Sequence, residues 1–71
     1  MKMKAMQARI MAINALQELE RAPVNRHVSL NGITIFRELS GYTIWDNGAE
    51  LFNLSRDAAK QEIIRSLRKG Q

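Results

Sequence analysis

Seventy-one residues, 45% of them hydrophobic and none of them cysteine, amount to one domain close to the lower size limit for a self-sufficient core. That length excludes a second domain, and the lack of thiols excludes a disulfide framework or a thiolate metal site, with a cytosolic compartment as the default expectation. The formal charge of +4 sits at the two ends. Residues 1–15 carry Lys2, Lys4 and Arg9 without an acid. Residues 16–54 set Arg21, Arg26 and Arg37 against Glu18, Glu20, Glu38, Asp46 and Glu50. Residues 55–71 set Arg56, Lys60, Arg65, Arg68 and Lys69 against Asp57 and Glu62. Such ends attract an anionic partner, and they also serve solubility. No apolar run approaches the roughly 18 residues of a spanning helix, and the N-terminus lacks the apolar core of a signal peptide, so no membrane is expected.

From Met3 to about Arg21, apolar residues recur at Met3, Met6, Ile10, Ile13, Leu16 and Leu19. Steps of three and four place them on one stripe of an amphipathic helix over about 3–21, which is expected to face the core. Ala5, Ala8, Ala12 and Ala15 raise its propensity, and Pro23, which lacks an N–H and restricts Ala22 before it, ends it. Residues 23–26 form a short connector.

The stretch 27–48 reads as a β-meander written in turn chemistry. Asn31-Gly32, Ser40-Gly41 and Asn47-Gly48 punctuate runs of β-branched and aromatic residues, giving strands at about 27–30, 33–39 and 42–46. A two-residue loop at Asn31-Gly32 pairs Leu30 with Ile33, Ser29 with Thr34, Val28 with Ile35 and His27 with Phe36. One at Ser40-Gly41 pairs Leu39 with Tyr42, Glu38 with Thr43, Arg37 with Ile44 and Phe36 with Trp45. Alternation then sorts the sheet into two faces. Val28, Leu30, Ile33, Ile35, Leu39, Tyr42 and Ile44 form a core face, with Arg37 and Asp46 towards an edge. His27, Ser29, Thr34, Phe36, Glu38, Thr43 and Trp45 form a polar face bearing two large aromatics. Residues 49–53 are open to two readings, a short fourth strand that pairs Trp45 with Glu50 and Thr43 with Phe52, or an extended lead into the last helix. That helix, at about 56–69, has Ser55 as N-cap, Asp57 in its first turn, an apolar stripe of Ala59, Ile63 and Leu67 flanked by Ile64, and Gly70 as its stop. The expected fold is α+β, a two-layer sandwich in which an antiparallel meander of three or four strands carries both helices on one face.

Catalytic chemistry has little to work with. His27 is the sole histidine, Ser29 is next on its face of the same strand, and no acid is placed to orient the ring. The scattered acids have no metal-ligand spacing, and no phosphate-cradling glycine loop occurs. No cofactor, metal or enzymatic activity is expected. Two features point instead to binding. The first is the row His27, Phe36 and Trp45 on the uncovered face, with Phe52 close by if a fourth strand forms. Exposed aromatics there serve as a cross-strand stabilising pair, a protein or homodimer interface, or a base-stacking platform. The second is the start of the last helix, where Arg56 and Lys60 oppose the dipole and each other, so that local energetics do not favour them. With Ser55, free helix N–H groups and the N-terminal Lys2, Lys4 and Arg9, they form a candidate anion or nucleic-acid contact, or else a solvated face.

In the order α-β-β-β-α, with SRDAAKQEIIRSL opening the last helix, the chain resembles a double-stranded-RNA-binding domain. Ser55, Arg56, Ala59 and Lys60 match the serine- and lysine-rich motif that starts that family's second helix, while Asp57 stands at a basic position and tight turns replace the family's loop between its first strands. The resemblance implies direct nucleic-acid binding through the last helix. Small size, basic character and lack of a reaction signature resemble, in style, the accessory and inhibitory proteins of bacteriophage and other mobile elements. The leading expectation is therefore a non-enzymatic protein that docks on a larger protein or nucleic-acid-handling complex.

Overall fold

The computed structural model describes residues 4–21 and 26–69. Lys2, Met3, the Pro23 stop, the connector up to Asn25 and the Gly70 stop lie outside the described residues. Helix α1 (Ala5–Arg21) is followed by strands β1 (His27–Leu30), β2 (Ile33–Glu38), β3 (Gly41–Asp46) and β4 (Ala49–Leu54), and then by helix α2 (Arg56–Lys69). The strands form one antiparallel sheet in sequential order. The architecture is the α+β sandwich expected from the meander, with residues 49–54 resolved as a fourth strand. Among the described residues, no helix is long and apolar enough to cross a membrane.

Two of the three hairpin turns follow directly from local chemistry. Asn31 and Gly32 adopt φ of 44° and 86°, and Asn47 and Gly48 adopt 55° and 90°, the paired left-handed conformations of a type I′ turn. The first of these fixes the β1/β2 register at His27–Phe36, Val28–Ile35, Ser29–Thr34 and Leu30–Ile33, as derived from the loop length.

The β2/β3 hairpin differs. Its loop is Leu39-Ser40 rather than Ser40-Gly41, so Arg37 pairs with Tyr42, Phe36 with Thr43, Ile35 with Ile44 and Thr34 with Trp45. The two strands slide past one another by two residues and keep their faces, but Phe36 no longer stands directly opposite Trp45. The physical reason lies in the ladder. The observed register opposes six residues to six and sets Ile35 against Ile44, whereas the expected one sets Ile35 against Asp46 and leaves Ile33 overhanging. Leu39, expected in the core, is left at the loop tip with 94% of its surface exposed. Gly41 serves the sheet instead of the turn: its φ is +146°, and a Cβ there would lie 2.7 Å from the Leu54 carbonyl oxygen of β4. Only glycine permits that approach without displacing backbone.

Strand β4 pairs Ala49 with Asp46, Glu50 with Trp45 and Leu51 with Ile44, then shifts so that Leu54 faces Tyr42. Thr43 consequently opposes both Phe52 and Asn53, and Asn53, at φ 54°, is the extra residue of a β-bulge. The expected Trp45–Glu50 pair is present, and the expected one-to-one Thr43–Phe52 pair is replaced by this bulge.

Both helices cover one face of the sheet, where Ile33, Ile35, Tyr42 and Ile44 are buried with Leu16 and Leu19 of α1 and Ala59, Ile63 and Leu67 of α2. The α2 stripe is the expected one. In α1 the core stripe is Ala8, Ala12, Ala15, Leu16 and Leu19, while Met6 and Ile10 point outward at 75% and 53% exposure. The rotation has a packing cause: two helices side by side on a four-stranded sheet approach closely only where small residues line their contact.

The two polar residues of the covered face bridge to the helices. Arg37 Nη1 donates to the carbonyl oxygens of Leu19 and Glu20, both at 3.3 Å, supplying donors to the last turn of α1 where carbonyls lack intrahelical partners. Asp46 accepts a hydrogen bond from the hydroxyl of Ser66 in α2.

Candidate functional site

The alternation of β1–β4 assembles one continuous set of side chains on the face that no helix covers. Phe36, Glu38, Thr43, Trp45, Glu50 and Phe52 line a groove there of about 230 Å³. Trp45 is 50% and Phe52 61% exposed, and Phe36 is half-buried. His27 lies at the β1 side of the same face, its ring centroid 5.5 Å from that of Phe36 with planes tilted by 41°. The bulge at Asn53 ends the regular β3/β4 ladder just past Phe52, which stays on the groove face.

Two carboxylates sit among these rings. The Trp45 indole Nε1 donates to Glu50 Oε2 at 2.6 Å, and the Thr43 hydroxyl donates to Glu38 Oε1 at 2.7 Å. Each bond joins neighbouring strands, Trp45 to its directly paired Glu50 and Thr43 to Glu38 on β2, so the strand registers hold both carboxylates in place. Neither glutamate has an ion-pair partner among the described residues. A chain of positive net charge thus presents an aromatic face with two carboxylates that have no ion-pair partner among the described residues.

All four aromatic-face candidates, His27, Phe36, Trp45 and Phe52, share the uncovered face. The two glutamates were the part not singled out from sequence. The Trp45–Glu50 pairing and the placement of Glu38 on this face carried the signal.

The basic candidates are arranged differently. Ser55 Oγ accepts from the Ala58 N–H at 3.1 Å and so caps α2 in the usual way. Arg56 forms a salt bridge with Glu20 through its Nε, and the hydrogen bond and charge of Glu20 raise the pKa of the guanidinium above its ordinary value. Lys60 pairs with Asp57 at 3.5 Å. The start of α2 therefore has an intramolecular use for each of the three residues. Arg56 clamps the two helices together, which accounts for a cation placed against the dipole. Lys4 and Arg9 are exposed at the start of α1, with no ion pair among the described residues. Lys2 lies outside them.

A second concavity, bounded by the β3/β4 turn and the last turns of α2, mixes Asp46 and Glu62 with Arg65 and Lys69. Glu62 and Arg65 are already paired at 2.7 Å, and no chemistry converges there. No family model matches the chain, and neither a curated protein nor a solved structure does.

Proposed function

We propose that this protein is a small non-enzymatic docking protein that binds a larger protein partner through the uncovered sheet face and acts by occluding or recruiting it. The observation that carries the reading is the groove itself. Three aromatic side chains, Phe36, Trp45 and Phe52, flank one concavity on the four-stranded sheet. Exposed aromatic clusters of this kind are the usual anchors of protein interfaces, where a few large side chains in a desolvated patch supply most of the affinity. The glutamates favour a protein over a nucleic acid, because a phosphodiester backbone laid on this face meets Glu38 and Glu50 as like charges. Ser55, Arg56 and Lys60 each have an intramolecular partner, which weighs against the alternative of direct phosphate contact from α2.

Site-specific photo-crosslinking tests this. Benzoylphenylalanine in place of Phe52, installed in cells of the source organism, is expected to trap one protein in stoichiometric yield, while the same group at Gln17 on α1 traps none. Trp45→Ser, checked for retained fold by circular dichroism, is expected to abolish the adduct. A nucleic-acid adduct at position 52, or no adduct beyond that at position 17, overturns the proposal.

A further inference from the structure

Resting on the docking role of the sheet face, we infer that the occupant of the groove is an arginine side chain presented by a basic segment of the partner protein. The reasoning starts from what any occupant must cover. An occupant that covers Phe36, Trp45 and Phe52 comes against Glu38 and Glu50, which line the same concavity. A carboxylate removed from water without a compensating cation is strongly unfavourable. A purely apolar segment therefore does not fit, and an acidic one fits less. A second copy of this chain placed face to face by a two-fold axis fits no better, since it brings four carboxylates together. The occupant has to bring positive charge and tolerate aromatic neighbours.

Guanidinium meets both conditions in this setting better than ammonium. An occupant that covers the rings gives up part of its own hydration on the side that faces them. Ammonium holds its water tightly, whereas the planar guanidinium is weakly hydrated, stacks on aromatic faces and offers five donors. The two carboxylates each spend one oxygen on a groove neighbour, Thr43 or Trp45, which leaves the other oxygen of each for an incoming donor. Those internal bonds also hold the acceptors towards the groove before the ligand arrives, which lessens the ordering needed on binding.

Trp45 is the only tryptophan in the chain, so its fluorescence reports the groove without interference. Titration of the full chain with a hexa-arginine peptide is expected to give a saturable Trp45 response, with hexalysine binding several-fold more weakly. Glu38→Gln and Glu50→Gln are each expected to weaken hexa-arginine binding by about tenfold, the loss typical of a charge-assisted contact. Glu18→Gln, which removes an exposed acid from α1, is expected to change it little. Thermal melts establish that each variant is folded. Equal affinity for the two peptides, loss in Glu38→Gln and Glu50→Gln no larger than in Glu18→Gln, or no Trp45 response at millimolar peptide each overturns the inference. A partner trapped from position 52 whose capture is unchanged by the Glu38→Gln/Glu50→Gln double substitution likewise overturns it while leaving the docking role standing. Absence of any trapped protein defeats the docking role itself.

Discussion

Glu20, in the last turn of α1, joins its helix to three other elements. Its carboxylate accepts hydrogen bonds from Arg56 of α2 and, at 3.3 Å, from the Tyr42 hydroxyl of β3, and its backbone carbonyl accepts from Arg37 of β2. Tyr42 is buried and its pKa lies above the ordinary value of 10.0, first because burial disfavours the phenolate, then because the Glu20 charge and hydrogen bond favour the protonated form; Arg37 and Arg56 push the other way. An acid whose folded pKa is raised stabilises the fold fully below its unfolded pKa. That contribution is lost as pH rises through the folded value, because the unfolded chain releases its proton first. The window therefore opens near pH 10. Tyr42 is the only tyrosine, so phenolate absorbance follows it directly. Its midpoint is expected above 10 in the folded protein and lower in Glu20→Gln, though still above 10 because burial remains. Denaturant midpoints between about pH 9 and pH 11 are expected to fall less steeply in Tyr42→Phe than in the parent chain.

Helix α1 shows how packing selects among the faces that periodicity offers. Its outward side carries Met6 and Ile10, and its inward side Ala8, Ala12 and Ala15. Enlarging Ala12, which is wholly buried, to leucine forces the helices apart and is expected to destabilise the fold by about 1–3 kcal/mol, whereas Met6→Ala is expected to change stability by about 0.5 kcal/mol or less. Comparable losses from the two substitutions in urea denaturation would restore the hydrophobic stripe as the core face. Much of the architecture was nevertheless readable. The Asn-Gly turns wrote the first hairpin register into the sequence, α2 buries the stripe that its spacing indicates, and the two sheet faces separate by alternation. What escaped was set by longer-range competition. The Leu39-Ser40 loop is selected by the length of the β2/β3 ladder and by the approach of β4 to Gly41, neither of which is visible in a four-residue window. Alanine reads as a helix former in a sequence, and only a neighbouring helix turns it into a core residue. The partnering of Arg56 with Glu20, 36 positions earlier, is equally non-local, so local sequence offers an anion contact or a solvated face at the start of α2 but not this partner. The aromatic part of the candidate site was legible because strand parity survives a two-residue slide.

At the scale of the whole molecule, the sheet has one face under the helices and one without cover, and its four strands are not equally secured. Strands β2 and β3 are hydrogen-bonded on both sides and place Ile33, Ile35, Tyr42 and Ile44 in the core. Strand β1 is four residues long, and β4 is exposed over almost its whole length, with Leu54 alone packed against the core. The bulge at Asn53 interrupts the ladder of β4, which spoils the flat edge that another strand needs for pairing. Opening of β4 exposes little apolar surface, while opening of β2 or β3 exposes the core, so amide exchange should divide the molecule accordingly. The slowest amides are expected in β2, β3 and the contacting turns of α1 and α2, with protection approaching that of global unfolding. Those of β4 are expected to exchange faster by a sub-global opening that leaves the central strands protected. Uniform protection across all four strands would mean that β4 is held by the cooperative unit as a whole. The groove spans this boundary, because Phe36 and Thr43 sit on the secured strands and Glu50 and Phe52 on the looser one. Occupation of the groove by hexa-arginine should therefore slow exchange in β4 selectively, with the change centred on residues 50–52.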